Sequence, residues 1–243
     1  MAEPQKPKRA ATVILLRPLL PTGFEVFLIR RPEGMAFLGG MHCFPGGAVT
    51  KDDYSAAMLE CCRGLTEDQA RKIIGAHFTP QEALGFWVGG IRELFEETGI
   101  LLAVKKPGAR MALKAEQDSS LNHQRTALLA KSLSFQSLLA NEELFCDLAS
   151  LAYFSQWQTP SHVPIRFDTR FFLAALPDNQ SPLPTSPEVA HSQWLTPDRA
   201  LKLFAKNELP MIFPTFAALR TLADFETLES VFREFLVGRP GAL

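Results

Sequence analysis

Apolar and polar positions near the start of the chain predict a β-hairpin. Residues 11–17 and 24–30 are rich in branched and aromatic side chains, and a Pro-Thr-Gly turn at 21–23 separates them. A glycine-rich bend at 39–47 comes next. We therefore expect two paired strands followed by a tight loop.

Helical periodicity follows the bend. Residues 53–63 and 67–77 are predicted helices. A longer helix is expected over 80–98, because proline is tolerated in a first turn and Gly99 ends it. The internal pair Gly89-Gly90 indicates either a break in this helix or a close packing contact.

The second half of the chain alternates between segments with the periodicity of a strand and segments with the periodicity of a helix. The elements expected there are a strand from 100 to 104, a helical stretch over 111–140 broken at 117–120, strands at 149–157, 166–176 and 189–195, a helix after the Thr196-Pro197 cap, and one or two helices over 214–236. Because strands and helices interleave, we predict an α/β or α+β fold with helices covering a mixed sheet.

Composition limits the classes of partner. The 243 residues carry 25 basic and 26 acidic side chains, a net charge of −1, so no global field gathers nucleic acid and an anionic substrate needs a local cluster. No apolar run is long enough for a bilayer, so we expect no membrane partner. The four cysteines form no paired C-x-x-C framework, which favours a reducing, cytoplasmic setting.

An acidic cluster lies at the end of the long predicted helix. Glu93, Glu96 and Glu97 fall within a sector of ~100° on a helix, where like charges repel one another. A divalent cation between them would relieve that repulsion, and Mg²⁺ prefers carboxylate oxygens, water and substrate phosphates. Arg92 can pair with a carboxylate and orient it.

The alternative is a solvated acidic helix face, the usual explanation for a run of charges. Leu94, Phe95 and Ile100 are apolar neighbours of the cluster. The helix is therefore expected to be packed, with the acids along its rim.

The same residues resemble the Nudix box. Gly47 is followed six positions later by Asp53, and then by Arg92-Glu93-Leu94-Phe95-Glu96-Glu97-Thr98-Gly99-Ile100, which matches the second half of the box at every specified position. Two features depart from the pattern: Asp53 stands where the family has Glu, and 38 residues separate it from Arg92 where seven are usual, an insertion of 31. Both departures resemble the coenzyme A diphosphatase branch, peroxisomal enzymes and their bacterial relatives, and they leave the role of Asp53 open.

The resemblance extends outside the box, over about residues 11–220. The segment 30–47 that leads into the box and the strand segment 157–172, with its Arg-Phe-Asp-Thr-Arg-Phe-Phe run, are both similar to that branch. The resemblance implies a single Nudix-type domain, an α/β/α sandwich with a mixed sheet, enlarged by helical insertions at about 54–85 and 108–145.

The resemblance also implies site residues. Glu93 and Glu97 would be the main metal ligands, and Glu96 a further ligand or one acting through water. Glu93, Glu96 and Arg92 would be the catalytic residues of the box. The Gly46-Gly47 backbone would coordinate the metal, with Gly47 as the ligand, or closely approach the metal site, since a side chain there would block it.

Other candidates lie outside the box. Glu188, on a proline-rich loop, is a candidate general base or else an exposed loop acid. Arg166 and Arg170 alternate with Phe167 and Phe171 along a strand, so both arginines point to one face. On that face they either grip phosphates or pair with Asp168, which lies on the same face. Arg30 and Arg31 are weaker candidates for the 3′-phosphate of coenzyme A.

The function implied is a diphosphatase, dependent on Mg²⁺ or Mn²⁺, that cleaves coenzyme A or acyl-coenzyme A. Two rivals stay open: a diphosphatase for ADP-ribose, NADH or another dinucleotide, and a non-catalytic nucleotide sensor. The expected partner is a small nucleotide-diphosphate substrate, and the resemblance also admits a homodimer.

Overall fold

The computed structural model describes residues 6–105, 109–110, 115–183 and 186–236. Its strands are β1 Lys8–Pro18, β2 Phe24–Arg30, β3 His42–Cys43, β4 Gly46–Ala48, β5 Cys62–Arg63, β6 Ala103–Lys105, β7 Ala109–Arg110, β8 Leu144–Asp147, β9 Ala152–Gln158, β10 Phe167–Ala175 and β11 His191–Leu195. Its helices are α1 Ala56–Glu60, α2 Glu67–Ile74, α3 Pro80–Thr98, α4 Ala115–Leu129, α5 Phe135–Asn141, α6 Pro197–Ala205, α7 Phe213–Leu222 and α8 Leu228–Phe235.

A mixed sheet forms the centre of the molecule. Its strand order is β11-β2-β1-β10-β9, with β3 added to β2 and β4 added to β1. The β1–β10 pair is parallel and the other pairs of this sheet are antiparallel, including the β1–β2 hairpin expected from the sequence. Strand β4 lies against Ala10, Ala11 and Thr12 of β1, which places the glycine-rich bend on the central strand.

Both faces of this sheet are covered. Ala11, Val13 and Leu15 of β1 belong to one core cluster, which includes the apolar side of α3. Ile14 and Leu16 belong to the other, with side chains of α6, α7 and α8. Since successive strand residues point to opposite faces, this alternation requires a helical layer on each side. The predicted α/β/α sandwich is confirmed.

Helix α3 begins and ends where the sequence predicts. Thr79 and Glu82 form a capping box at its start, and Gly99 ends it with φ of 77°. The Gly89-Gly90 pair causes no break. A β-carbon at Gly89 would lie 3.2 Å from Asp53 Oδ2, and one at Gly90 would lie 3.3 Å from Val13, so both glycines are close packing contacts.

Several local predictions were wrong. Residues 53–63 are not one helix: a 3-10 turn at Asp52–Tyr54 precedes the short α1, and Cys62 begins strand β5. Helix α4 continues through the polar positions 117–120, and the chain breaks instead between 130 and 134. Residues 111–114 of that predicted stretch lie outside the described residues.

A second, small sheet was not foreseen. Its order is β5-β8-β6-β7, and its strands have only two to four residues. Strands of this length are too short to show a period of two in the sequence. The segment 54–85, predicted to be a helical insertion, therefore contains strand β5 in addition to α1, α2 and the start of α3.

None of the helices in the described part of the chain combines the length and the apolar character required to cross a membrane.

Candidate active site

Arg92 and Asp53 form the anchor of the site. Arg92 lies in the last turns of α3, and Asp53 lies in the 3-10 turn that packs against the same helix at Gly89. Arg92 Nε donates to Asp53 Oδ1 at 2.7 Å and Nη2 donates to Oδ2 at 2.9 Å. Asp53 also accepts from the Thr50 amide at 2.8 Å and is 2% exposed. Asp53 therefore fixes the position of the Arg92 guanidinium. The sequence of the box alone did not reveal this contact.

The same guanidinium contacts the acidic cluster. Arg92 Nη1 donates to Glu93 Oε1 at 2.8 Å and to Glu96 Oε1 at 3.1 Å, and Nη2 donates to the Ala48 carbonyl at 2.8 Å. These contacts have the geometry expected of a residue that orients carboxylates. They also tie α3 to strand β4.

The glycine-rich bend contacts the carboxylates of Glu93 and Glu97. The Gly46 amide donates to Glu97 Oε2 at 2.8 Å. A β-carbon at Gly47 would lie 2.6 Å from the Glu93 carboxylate, and one at Gly46 would lie 2.4 Å from the Ala11 carbonyl oxygen. Only glycine fits at position 47 while the Glu93 carboxylate stays in place, and only glycine fits at position 46 against the backbone of β1.

Burial disfavours the ionised forms of the three glutamates in the metal-free protein. Burial raises the pKa of Glu93 to about 7, against the opposing charge of Arg92. Burial and the charge of Glu93 raise the pKa of Glu97 well above its ordinary value, and burial also raises the pKa of Glu96. A bound cation would favour the ionised forms of all three.

Carboxylate oxygens are hard ligands, and a cluster of them without enough positively charged partners suits a divalent cation such as Mg²⁺. Across the described ranges, however, no three acidic, histidine or cysteine side chains converge as a ready metal-binding group. In these ranges Glu93 and Glu96 accept hydrogen bonds from Arg92, and Glu97 accepts one from the Gly46 amide.

Glu188 lies beside the cluster. Its negative charge contributes to the raised pKa of Glu96 and of Glu97, although burial is the larger cause for each. Its Oε2 is 3.3 Å from Arg31 Nη2. The candidate general base is thus within the electrostatic reach of the box carboxylates.

The two arginines at the end of β2 have different surroundings. Arg30 pairs with Glu33 and donates to the Gly40 carbonyl at 3.2 Å, and its side chain is 40% exposed. The side chain of Arg31 is only 13% exposed and also contacts the thiol of Cys43, whose pKa burial raises to about 12.

The sequence left two interpretations open for Arg166 and Arg170: they grip phosphates, or they pair with Asp168. For Arg170, which lies on β10, the structure shows the ion pair. Arg170 is fully buried, pairs with Asp168, and lies over the rings of Phe78 and Phe86. Its side chain presents no surface to solvent, and its Nε and Nη2 are buried without a hydrogen-bond partner among the described residues. Arg166 donates from Nε to the Thr159 carbonyl at 3.2 Å and is partly exposed.

Arg125 of α4 was missed by the sequence analysis. It is 3% exposed and donates from Nε and Nη2 to the Glu96 carbonyl at 3.1 and 2.9 Å, and from Nη1 to the Leu183 carbonyl at 2.9 Å. It therefore caps the end of α3 that carries the cluster. The signal in the sequence is an arginine on a helical face shared with the buried Leu121 and Leu128.

The split box, the Gly46-Gly47 bend and the α/β/α sandwich together define a Nudix hydrolase. The sequence model of the NUDT19 Nudix domain matches residues 7–222, and the chain therefore belongs to that family. Enzymes of the class generally need a divalent metal ion.

Individual relatives agree with this assignment. The chain is 28% identical to the acyl-coenzyme A diphosphatase NUDT19 of Homo sapiens, over 97% of this chain and 73% of the relative. It is also 28% identical to the protein of that name from Gallus gallus, over 89% of this chain and 65% of the relative. Among solved structures, a NUDIX hydrolase from Alicyclobacillus acidocaldarius matches with a TM-score of 0.72 and 27% identity, over 94% of this chain and 96% of that one.

Proposed function

We propose that this Nudix hydrolase cleaves the diphosphate linkage of coenzyme A or acyl-coenzyme A. Water adds to one phosphorus, the bridging P–O bond breaks, and the products are 3′,5′-adenosine diphosphate and 4′-phosphopantetheine or its acyl form. The observation that carries the proposal is the complete set of Arg92, Glu93, Glu96 and Glu97, assembled over Gly46-Gly47. The substrate assignment is supported by the 28% identity to relatives that are named acyl-coenzyme A diphosphatases.

Glu93, Glu96 and Glu97, with the backbone near Gly47, are the groups that would hold Mg²⁺ or Mn²⁺. When bound, such a cation neutralises diphosphate charge, activates water and stabilises the leaving phosphate. The absence of a β-carbon at Gly47 keeps open the space that the Glu93 carboxylate uses.

The chain's own groups have separable tasks in this proposal. Arg92, anchored by Asp53, orients Glu93 and Glu96. The Gly46 amide orients Glu97. Glu188, whose side chain is 55% exposed at the edge of the cluster, accepts the proton of the attacking water.

The test compares wild type with Glu97→Gln, using Glu229→Gln as a matched control on the exposed face of α8. With Mg²⁺ present, we expect wild type and the control to release 3′,5′-adenosine diphosphate from coenzyme A. We expect Glu97→Gln to lose at least ~100-fold in kcat while still binding coenzyme A. Retained turnover in Glu97→Gln would contradict the assigned role of the box.

Wild type that binds coenzyme A with Mg²⁺ but never cleaves it would instead indicate a nucleotide sensor.

We also infer a reducing, cytoplasmic setting, supported by four free cysteines in the described residues. A small-molecule substrate without a nucleic-acid partner is supported by the net charge of −1, and a homodimer stays a prediction.

A further inference from the structure

Arg31 is held rigidly just beyond the end of β2. Its amide donates to the Met41 carbonyl at 3.0 Å, and its own carbonyl accepts from the Gly40 amide at 3.1 Å. The side chain is 13% exposed, and it contacts the Cys43 thiol as well as Glu188. The backbone of Arg31 is therefore fixed, and its side chain is mostly enclosed, with Nε buried and without a hydrogen-bond partner among the described residues.

Glu188 is fixed at its backbone but not by packing of its side chain. The Glu188 amide donates to Ser186 Oγ at 3.3 Å, and the Ala190 amide donates to the Arg30 carbonyl at 2.9 Å. The side chain is 55% exposed, and among the ion pairs of the described residues its partner is Arg31. The carboxylate direction therefore depends on Arg31.

A role for Arg31 in gripping the 3′-phosphate of coenzyme A fits this geometry poorly. Its Nη2 is already 3.3 Å from a carboxylate oxygen, and its Nε, although without a hydrogen-bond partner among the described residues, is buried away from solvent. A phosphate grip needs exposed, uncommitted donors in a fork.

We propose that Arg31 is a positioning residue, which aims the Glu188 carboxylate at the water beside the box carboxylates. This inference rests on the proposed hydrolase function, and it assigns to Arg31 a role in the reaction in place of a role in substrate recognition. Both charges act on the same cluster: Arg31 lowers the pKa of Glu97, and Glu188 raises it to a smaller extent.

The experiment measures kcat and KM on coenzyme A and on dephospho-coenzyme A, which differ only in the 3′-phosphate. The proteins are wild type, Arg31→Gln, Arg31→Lys, Glu188→Gln and the Arg31→Gln/Glu188→Gln double variant. Arg17→Gln is the matched control, because Arg17 also pairs with a glutamate, Glu25, but on the β1–β2 hairpin.

We expect Arg31→Gln to lower kcat by ~10–100-fold on both substrates equally, with KM changed by less than about threefold. Arg31→Lys should recover part of the loss, because a cation returns without the fork. The double variant should be within about threefold of Glu188→Gln alone, since two residues that act through one another are non-additive. Arg17→Gln should match wild type.

A rise in KM for coenzyme A alone, with dephospho-coenzyme A unaffected, would overturn the proposal in favour of 3′-phosphate binding. Losses that multiply in the double variant would overturn it as well. If Arg31→Gln fails to fold, the comparison of the two substrates in Arg31→Lys decides between the same outcomes. If wild type cleaves NADH or ADP-ribose in place of coenzyme A, the substrate assignment fails, and the same cycle on that compound still tests Arg31. If wild type cleaves none of them, both proposals fail.

Discussion

Arg92 and Asp53, 39 positions apart in the chain, form a two-point ion pair beneath the catalytic end of α3, with N–O distances of 2.7 and 2.9 Å. The pair joins the two halves of a box that an insertion has separated. Asp53 is linked to the carboxylate cluster through Arg92, and its own charge is among the smaller causes that raise the pKa of Glu93 and of Glu96. We propose that Asp53, at the first acidic position of the box, anchors the second half of the box through Arg92.

The anchor predicts the behaviour of Asp53→Asn. Losing the buried Asp53 charge leaves Arg92 paired with Glu93 and Glu96 but without its two-point partner, which costs about 1–3 kcal/mol of unfolding free energy. We expect kcat to fall by ~10–100-fold because Glu93 and Glu96 lose their orientation. Chemical denaturation and steady-state kinetics measure the two effects, and Asp52→Asn, at the exposed neighbouring position, is the control. An Asp53→Asn protein with wild-type kcat would show that Arg92 needs no anchor.

Gly47→Ala tests the close approach of β4 to α3. The new β-carbon would lie 2.6 Å from the Glu93 carboxylate, so that carboxylate must move. We expect kcat on coenzyme A to fall by at least ~10-fold, with the helical content unchanged by circular dichroism. Gly34→Ala is the control, since nothing lies within 4 Å of its added β-carbon. Equal activity in the two variants would contradict the assigned geometry.

Glu93 predicts how the stability of the metal-free protein depends on pH. Burial raises its folded-state pKa to about 7 from 4.5, so folding favours the protonated form. This contribution is fully present below pH 4.5 and is lost as the pH rises through 7, at a rate of at most about 1.4 kcal/mol for each pH unit between those two values. Unfolding free energies measured in chelator between pH 5 and 8 should therefore fall more steeply for wild type than for Glu93→Gln. Parallel curves for the two proteins would refute the raised pKa of Glu93.

A bound divalent cation should reverse the loss of unfolding free energy that the metal-free protein shows at high pH. A ligand that binds only the folded state at 100 times its Kd adds about 2.7 kcal/mol, or ~5–10 °C in Tm for a domain of this size. We expect Mg²⁺ or Mn²⁺ to raise the Tm of wild type at pH 8 and to leave Glu97→Gln within about 2 °C of its metal-free value. The expectation fails if chelator-treated wild type shows no rise with either ion.

Arg125 connects the insertion helix α4 to the site. Arg125→Met keeps the apolar stem but leaves the carbonyls of Glu96 and Leu183 without this donor. We expect a loss of about 1–3 kcal/mol in unfolding free energy and a smaller loss in kcat than for Asp53→Asn. Arg220→Met, at an exposed ion pair on α7, should change neither quantity. An Arg125→Met protein as stable as this control would show that the cap is dispensable.

The parts of the fold that depend on local pattern were predictable from the sequence. Helix α3 has both a cap and a stop in its own residues, and the hairpin carries its turn between its strands. The acidic cluster was found because its members are one helical turn apart, a spacing that needs no tertiary information.

What the sequence could not reveal depends on contacts between distant segments. The role of Asp53 required knowing which face of α3 the insertion packs against. The two interpretations of Arg170 differed only in burial, which no strand alternation specifies. The small sheet pairs Cys62 with Cys146 across 84 positions, through strands too short to predict.

The most direct test of the central claim is the ratio of kcat/KM for coenzyme A to that for NADH and for ADP-ribose, measured on wild type with saturating Mg²⁺. We predict a ratio of at least ~10 in favour of coenzyme A, with 3′,5′-adenosine diphosphate as a product. A ratio below one would leave the assignment as a Nudix hydrolase intact but would contradict coenzyme A as its preferred substrate.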